Sequence, residues 1–240
     1  MSHSLELKTG ALFIADAHYP NHGKEFLALL QNIECGKIKT PQLILMGDIF
    51  DLLVGSSKYL KEKFKTEITL IDNIAKKIEV IYIEGNHDFN LRPLFKNVLV
   101  IPIQQQPLLM HHNKQTIALS HGDKYCMRLS YKIYTKTIRN PLVLKLIPDS
   151  YAKNKLQSMQ RKKICKKIKN FKSLAKKIAK NYTADLIIEG HYHQGVIIDN
   201  YISLPSFACS GKIAVYKANE VLFPNFRLKK YYEPQSIGIL

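Results

Sequence analysis

The chain has little of what marks an exported or membrane-spanning protein. No run of 18 uncharged apolar residues occurs in its 240 residues, and its first residues show no basic region followed by an apolar core. Four cysteines, Cys35, Cys126, Cys165 and Cys209, are widely spaced and form no CxxC pair. That spacing excludes a disulfide-dense secreted scaffold and a zinc ribbon. We therefore expect a reduced, cytoplasmic protein that does not cross a membrane.

Acidic residues are scarce relative to basic ones. The chain has 36 Lys and Arg against 19 Asp and Glu, which gives a formal net charge of +17. Such a charge favours an anionic partner, and nucleic acid, an anionic bilayer and a phosphate-bearing substrate all fit it. Because 46% of the residues are hydrophobic, the chain can bury a sizeable core. We expect one domain over residues 1–240 with an insertion inside it.

The first half of the chain alternates strand-like apolar runs with segments of helical periodicity. The strand-like runs cover residues 11–15, 42–46 and 79–83, and the helical segments cover residues 24–33 and 58–77. This alternation is typical of a largely parallel sheet covered by helices. The fold class is therefore expected to be α/β.

Polar residues of one chemical kind follow five strand-like runs. They form the groups Asp16-x-His18, Gly47-Asp48-x-x-Asp51, Gly85-Asn86-His87-Asp88, His121-Gly122 and Gly190-His191-x-His193. Carboxylate and amide oxygens mixed with imidazole nitrogens suit Mn, Fe, Zn or Mg, and no thiolate is offered. One histidine in such a turn would more often be structural, but five groups at strand ends predict a metal centre. The neighbouring glycines would let the backbone turn sharply and approach a metal-bound phosphate.

This ordered set resembles the calcineurin-like metallophosphoesterase superfamily over about residues 11 to 217. The resemblance implies a four-layer α/β/β/α sandwich that binds two divalent metal ions, with Mn²⁺ expected first and Fe, Zn or Mg as the other candidates. It implies one ion held by Asp16, His18, Asp48 and His193. It implies a second ion held by Asp48, Asn86, His121 and His191. The implied reaction is two-metal hydrolysis of a phosphate ester or anhydride.

Two more residues receive catalytic roles from the resemblance. His87 stands at the family's catalytic position and would stabilise the transition state or protonate the leaving oxygen. Asp51 would hold His87 through its carboxylate. Asp88 would support the turn.

Within the superfamily, the chain resembles the UDP-2,3-diacylglucosamine diphosphatases, which cleave the pyrophosphate of a UDP-linked acylated sugar in lipid A synthesis to give UMP and 2,3-diacylglucosamine 1-phosphate. The run from His121 to Cys126 and the Arg139-Asn140-Pro141 triplet, before a helical insertion, carry this resemblance. His87 departs from it, because the best-known branch has Arg there. The candidate substrate-binding residues are Asn86, Asp123 and His191.

The insertion, expected as a helical lid over about residues 125–182, contains a strongly basic stretch. Between Ser150 and Lys180 there are twelve Lys or Arg and no Asp or Glu. Apolar residues recur there at steps of four and three, at Ile164, Ile168, Phe171, Ala175 and Ile178. We expect a helix with an apolar stripe, which either lies on an anionic bilayer or packs the stripe on the catalytic domain. The first alternative predicts a protein on the cytoplasmic face of the inner membrane.

Two other functions stay open. Tyrosines interleave with Lys and Arg at Tyr131, Tyr134, Tyr151 and Tyr182, as in proteins that bind single-stranded nucleic acid, so a nuclease or nucleotide phosphodiesterase is an alternative. The regular apolar stripe and the lack of a nucleic-acid-binding module favour the acylated nucleotide sugar. A non-catalytic scaffold is the other alternative, although none of the five groups lacks a ligand. We expect no obligate protein partner.

Overall fold

The computed structural model describes residues 5–125, 127–146, 148–217 and 220–226. The strands are β1 (Leu12–Ile14), β2 (Gln42–Leu45), β3 (Leu53–Val54), β4 (Glu79–Ile83), β5 (Asp88–Phe89), β6 (Leu99–Ile101), β7 (Leu108–His112), β8 (Gln115–Ser120), β9 (Leu186–Glu189), β10 (Val196–Ile198), β11 (Tyr201–Ser203), β12 (Ala214–Lys217) and β13 (Glu220–Leu222). The α-helices are α1 (Phe26–Glu34), α2 (Lys58–Lys63), α3 (Lys65–Ala75), α4 (Leu129–Ile138), α5 (Pro141–Leu146), α6 (Asp149–Met159), α7 (Phe171–Ala179) and α8 (Phe207–Ser210). The expectation of a free thiol at Cys126 lies outside the described residues.

Two mixed sheets carry the fold. The first has the strand order β13-β12-β1-β2-β4-β6, in which β1, β2, β4 and β6 are parallel. The second has the order β10-β11-β9-β8-β7, and β9 is parallel to both of its neighbours. Because parallel strands end at one edge, the loops that follow β1, β2 and β4 meet there.

Residues of the central strands alternate between two cores. Leu43 and Leu45 on β2 pack with the apolar faces of α1 and α3. Ile44 and Met46 join a second core that includes Ile188 of the second sheet, so the two sheets pack face to face. The outer face of the second sheet is covered by α7. The order of layers is helices, sheet, sheet, helix, which confirms the predicted α/β/β/α sandwich.

The insertion is not one helical run. After α6 the chain is non-helical over residues 160–170, here called the strap, and Asn170 with φ 57° begins α7. Ile164 and Ile168 therefore do not share a helical stripe with the residues of α7, and that expectation is wrong. The reason is that main-chain groups of the strap bond to side chains of the body: the carbonyl oxygen of Ile164 to His193, and that of Lys166 to Gln194.

The apolar stripe of α7 packs on the second sheet. Phe171, Ala175 and Ile178 are buried against Ile187 and Tyr201. Of the two alternatives expected for this stripe, it adopts the second and packs on the catalytic domain. The lysines of α7 face outward. Within the described residues, no helix is both long and apolar enough to cross a bilayer.

The expectation that all the cysteines are reduced is wrong for one pair. Cys165 in the strap and Cys209 in α8 form a disulfide, with Cα atoms 5.5 Å apart. Cys35 is free and exposed. The sequence could not predict the pair because 44 positions separate the two cysteines and only the path of the strap brings them together.

Candidate metal centre

The loops after β1, β2, β8 and β9 bring six of the seven predicted ligands into two groups, and Asn86, in the loop after β4, has its Oδ1 3.2 Å from Nε2 of His121. One group consists of Asp16, His18 and His193, and the other of Asp48, His121 and His191. Within each group the ligand atoms lie within 4.8 Å of one another. Each group thus contains three of the four ligands predicted for one ion, and its members come from strand ends that are far apart in sequence.

Five of these ligand candidates have left-handed backbone. The φ angles are 51° at Asp16, 44° at His18, 51° at Asp48, 57° at His191 and 61° at His193. Residues other than glycine adopt this region at a cost of roughly 1–3 kcal/mol, and such residues cluster at functional sites. The rest of the fold therefore holds these loops in a conformation that turns their side chains inward.

Two glycines allow ligand side chains to come close to the backbone. A Cβ on Gly47, where φ is 81°, would lie 2.4 Å from Nδ1 of His121. A Cβ on Gly85 would lie 2.4 Å from Oδ1 of Asp48. The glycines do permit close approach, but it is the ligands themselves, rather than a phosphate, that occupy the space.

The ring of His121 is oriented by a main-chain atom. Its Nδ1 lies 2.9 Å from the carbonyl oxygen of Met46, and since a carbonyl only accepts, Nδ1 donates. Its Nε2 lies 3.2 Å from Oδ1 of Asn86 and 3.5 Å from Oδ2 of Asp48. A histidine that donates through one nitrogen and faces oxygen ligands with the other is the usual arrangement at a metal ion.

His193 is held in the same way by the strap. Its Nδ1 donates to the carbonyl oxygen of Ile164 at 3.1 Å, and its Nε2 lies 3.0 Å from Oδ1 of Asp16. The buried ring nitrogens of the neighbouring His18 have no hydrogen-bond partner among the described residues. Unpaired buried nitrogens are expected when their partner is a metal ion, so the residues present fit the predicted group.

Burial keeps two of the imidazoles neutral, as metal ligation requires. It lowers the pKa of His18 to about 3 and, together with the charge of His121, the pKa of His191 to about 4. At His121 burial has the same effect, but the carboxylate of Asp48 outweighs it and raises the pKa. The field that favours a proton on His121 also favours a cation beside it. The electrostatics therefore suit a divalent metal ion.

Asp88 supports the loops, as predicted. Its carboxylate accepts hydrogen bonds from the main-chain N–H groups of Asp48, Ile49 and Gly85 at 2.9, 2.6 and 2.9 Å, and from the Tyr82 hydroxyl at 2.7 Å. Burial and the nearby charge of Asp48 raise its pKa to about 7. The two ligand-bearing turns after β2 and β4 are thus joined through one buried side chain.

His87 lies at the centre, but Asp51 does not hold it as expected. Nδ1 of His87 donates to the main-chain carbonyl oxygen of Asp51 at 2.7 Å. The carboxylate of Asp51 accepts instead from the main-chain N–H of Asn21 at 3.0 Å and lies 3.3 Å from Nδ1 of His22. The carboxylate is turned away because the loop after β1 offers these donors, so the predicted carboxylate–His87 contact is wrong.

Two residues at this site carried no clear sequence signal. Nε2 of His22 lies 3.1 Å from the carbonyl oxygen of Lys162, and Nζ of Lys162 lies 3.2 Å from Nε2 of His87. Partial burial lowers the pKa of Lys162. His22 follows His18 by one helical turn, but nothing distinguished Lys162 from the other lysines of the insertion. The strap thus delivers a cation to the predicted catalytic histidine.

Asp123, predicted to contact substrate, forms a buried ion pair. Its Oδ2 lies 3.2 Å from a guanidinium nitrogen of Arg139, which also donates to the carbonyl oxygen of Gly85 at 2.8 Å. Oδ1 of Asp123 is buried without a partner among the described residues. The pair, together with the Gly85 contact, fixes the end of α4 to the loop after β4. Contact between Asp123 and a substrate stays a prediction, as it does for Asn86 and His191.

A cavity of about 450 Å³ opens between the body and the insertion. Asn86 and His87 lie at its wall, so it adjoins the candidate metal centre. The remainder is mixed: it contains apolar or aromatic side chains, including Tyr131, Tyr134, Ile138, Leu144, Ala152 and Met159, and polar or charged ones, including Lys58, Asp149, Lys155 and Lys162. The cavity therefore joins polar, phosphate-compatible chemistry to an apolar compartment.

The chain matches the family model described as calcineurin-like phosphoesterase over residues 11–195. It is also similar to proteins named UDP-2,3-diacylglucosamine hydrolase. The one from Blochmanniella pennsylvanica (strain BPEN) is 26% identical over 244 residues, covering 90% of this chain and 96% of the relative. That from Blochmanniella floridana is 28% identical over 220 residues, covering 80% and 83%. That from Photorhabdus laumondii is 26% identical over 198 residues, covering 76% and 81%.

Proposed function

The chain is a metal-dependent hydrolase that belongs to the calcineurin-like phosphoesterase family, and on that premise we propose that it cleaves the pyrophosphate of UDP-2,3-diacylglucosamine. The products are UMP and 2,3-diacylglucosamine 1-phosphate. The observation that carries the proposal is the cavity with an apolar side whose wall includes Asn86 and His87, next to the candidate metal centre. The names of the relatives, which align over most of the chain, support the same substrate.

When bound, two divalent ions would neutralise charge on the phosphoryl oxygens and make water more acidic. We propose that Asp16, His18, Asp48 and His193 hold one ion. We propose that Asp48, Asn86, His121 and His191 hold the other, with Mn²⁺ as the ion first expected. The paired carboxylates and the fixed imidazole rings pre-organise both half-sites.

In this proposal His87 acts on the departing oxygen. Because its Nδ1 donates to the Asp51 carbonyl, Nε2 is the ring nitrogen that faces the reacting phosphate, and Nζ of Lys162 lies 3.2 Å from it. Lys162 lies beside that nitrogen and places a positive charge where negative charge develops as the phosphoanhydride breaks. The two side chains together occupy the place where the resemblance leads one to expect a single Arg.

The cavity supports an acylated substrate. Its apolar wall, formed by α4, α5 and α6 with residues of the body, can shield hydrocarbon from water. A free nucleotide or single-stranded nucleic acid has no group that needs such a compartment. The aliphatic part of the wall favours the acylated substrate, while Tyr131, Tyr134 and Tyr151 in the same wall are also compatible with stacked bases, which is why single-stranded DNA is included in the test.

We further propose a cytoplasmic enzyme that works at the inner membrane surface. Leu129, Ile133, Leu142 and Leu146 on α4 and α5 are exposed by 59% or more. Lysines face outward along α7, including Lys172, Lys176, Lys177 and Lys180. The insertion thus offers both exposed apolar side chains and outward-facing lysines, and this combination suits an anionic bilayer, from which an acylated substrate would be drawn.

The test is hydrolysis with Mn²⁺ in parallel reactions. The purified protein is incubated with UDP-2,3-diacylglucosamine, an aryl phosphodiester or single-stranded DNA, and the Asp48→Ala variant provides the background. Release of UMP from the first, well above that background, is expected. Cleavage of only the aryl compound or DNA would overturn the substrate while leaving the hydrolase assignment intact, and no cleavage of any would favour a scaffold.

A further inference from the structure

The strap is attached to the candidate metal centre by four hydrogen bonds of its main chain. The carbonyl oxygens of Lys162 and Ile164 bond to His22 and His193. Gln194 bonds to both sides of the strap, accepting from the N–H of Ile168 and donating to the carbonyl of Lys166. Each bond ends on a residue within four positions of a predicted metal ligand or on the ligand itself.

A covalent bond reinforces these contacts. Cys165, next to Ile164, is joined to Cys209, whose sulfur lies 4.0 Å from Nδ1 of His193. Cys209 belongs to α8, the helix that backs the first ligand group, since the Ser206 hydroxyl at its start donates to the carbonyl oxygen of Asp16. The disulfide therefore links the strap to the scaffold of the metal centre.

The position of the pair makes the bond accessible to exchange. Cys165 is exposed, while Cys209 is half-buried, so an external thiol can reach the strap sulfur. Lys163, Lys166 and Lys167 surround Cys165 in sequence, and nearby positive charge favours the thiolate, which is the reactive form. Exposed disulfides are the labile and regulatory ones, and disulfides in a reducing compartment are usually transient.

We propose that Cys165 and Cys209 are a reversible thiol–disulfide site that fixes the strap over the metal centre when oxidised and releases it when reduced. This thiol–disulfide pair would regulate the candidate metal centre, so its effect on turnover rests on the proposed function. In the oxidised state the Ile164 carbonyl stays on His193 and orients this predicted ligand. In the reduced state the strap keeps these hydrogen bonds but loses its covalent link to α8.

The oxidant is a small disulfide of the glutathione class. The Cys165 thiolate attacks it, which forms a mixed disulfide and releases one small thiolate. The Cys209 thiolate then attacks the Cys165 sulfur, which forms the protein disulfide and releases the second. The cysteine pair loses two electrons, the small disulfide gains them, and the two protons from the cysteine thiols end on the two released thiols.

Limited trypsin digestion of the full chain tests the proposal without substrate. The strap offers Arg161, Lys162, Lys163, Lys166, Lys167 and Lys169 as cleavage sites. Cleavage within it, followed by mass spectrometry, should be about tenfold slower after oxidation with glutathione disulfide than after reduction with a phosphine, because a fixed segment opens less often. Cys165→Ser and Cys209→Ser should cleave at the reduced rate under both conditions, and Cys35→Ser should respond like the parent chain.

A second measurement is the rate at which bound Mn²⁺ is lost to a chelator. Protein loaded with Mn²⁺ should lose it to a chelator more slowly when oxidised, because the strap then keeps His193 oriented. Equal trypsin cleavage of the two states, equal metal loss, or a redox response that persists in Cys165→Ser would overturn the proposal. Since neither measurement uses UDP-2,3-diacylglucosamine, failure to cleave that compound would count against the proposed function alone.

Discussion

Single main-chain atoms set the chemistry of the three histidine rings His87, His121 and His193. Each ring donates its Nδ1–H to a carbonyl oxygen, which fixes the tautomer and leaves Nε2 facing the site. A substitution that keeps the backbone in place leaves such a hydrogen bond intact. Side-chain mutations at the carbonyl-bearing residues therefore report on other contacts.

Asp51 provides the direct test of this point. Because its carbonyl rather than its carboxylate holds His87, Asp51→Asn should lower kcat by about 10-fold, through the weakened contact with His22. Steady-state kinetics on the proposed substrate measure this. A loss as large as that of His87→Ala would show that the carboxylate itself is required.

His87→Ala should reduce kcat by roughly 100-fold or more while the metal content stays close to normal. The residue faces the site through Nε2 but belongs to neither ligand group. Kinetics together with metal analysis of the same preparation separate the two effects. His111→Ala, on the exposed face of β7, is the matched control and should leave both unchanged. Unaltered turnover in His87→Ala would remove His87 from the mechanism.

Asp48→Ala should lose both metal ions and all hydrolysis, since Asp48 is the carboxylate proposed to serve both half-sites. Its field also raises the pKa of His121, so its removal weakens cation binding there. Metal content per chain is the measurement. Asp72→Ala, which removes a carboxylate that accepts hydrogen bonds from Lys96 and Asn97, should keep both ions. Retention of one ion in Asp48→Ala would contradict the bridging role.

At the scale of elements, the insertion divides into parts with different functions. The helices α4 to α6 border the cavity, the strap carries Lys162 to His87, and α7 completes the fourth layer of the sandwich. A single amphipathic helix could not meet all three demands. The break at the strap exists because its carbonyls find donors on the body instead of in a helix.

Truncation of the stripe on α7 tests whether that helix is part of the core. Ile178 is fully buried, so Ile178→Ala should lower the free energy of unfolding by about 2–4 kcal/mol through lost burial and a cavity. Urea denaturation gives the value. Lys172→Ala on the exposed face of the same helix should change it by less than about 0.5 kcal/mol. Equal, small effects would mean that α7 is detached from the second sheet in solution.

At the scale of the whole molecule, the excess of positive charge favours binding to anionic membrane surfaces. Replacing Lys172, Lys177 and Lys180 by Gln should weaken binding to anionic vesicles by about 1 kcal/mol per lysine near the surface. The difference should shrink at high salt, where the charges are screened. Vesicle sedimentation at two salt concentrations measures it. Lys162 is left unchanged because it contacts His87.

The matched control removes the same number of positive charges from helices outside the insertion. Substitution of the exposed residues Lys61, Lys63 and Lys65 by Gln alters net charge equally but lies on α2 and α3. It should affect vesicle binding much less. If both triple variants lost binding equally, attraction would depend on net charge alone, and if neither vesicle binding nor its salt dependence existed, the peripheral-membrane proposal would be wrong.

The sequence by itself determined the α/β class and the convergence of the polar groups at strand ends, whereas the four-layer sandwich and the division of the ligands into two sets came from the family resemblance. Apolar runs such as Leu43 to Met46 bury both faces of a strand, and parallel strands must end at one edge. Polar residues placed directly after such runs therefore converge, however far apart they lie in the chain. That rule needs only local periodicity and chain direction, both of which are written in the sequence.

Only the tertiary structure decided which hydrogen-bond partners the groups around those ligands have. The carboxylate of Asp51 turned to Asn21 and His22, and Lys162 reached His87, because of loop paths that periodicity does not encode. The Cys165–Cys209 bond depends likewise on where a non-helical segment crosses the body. Such contacts arise from competition among many donors and acceptors in space, and the folded chain alone brings the competitors together.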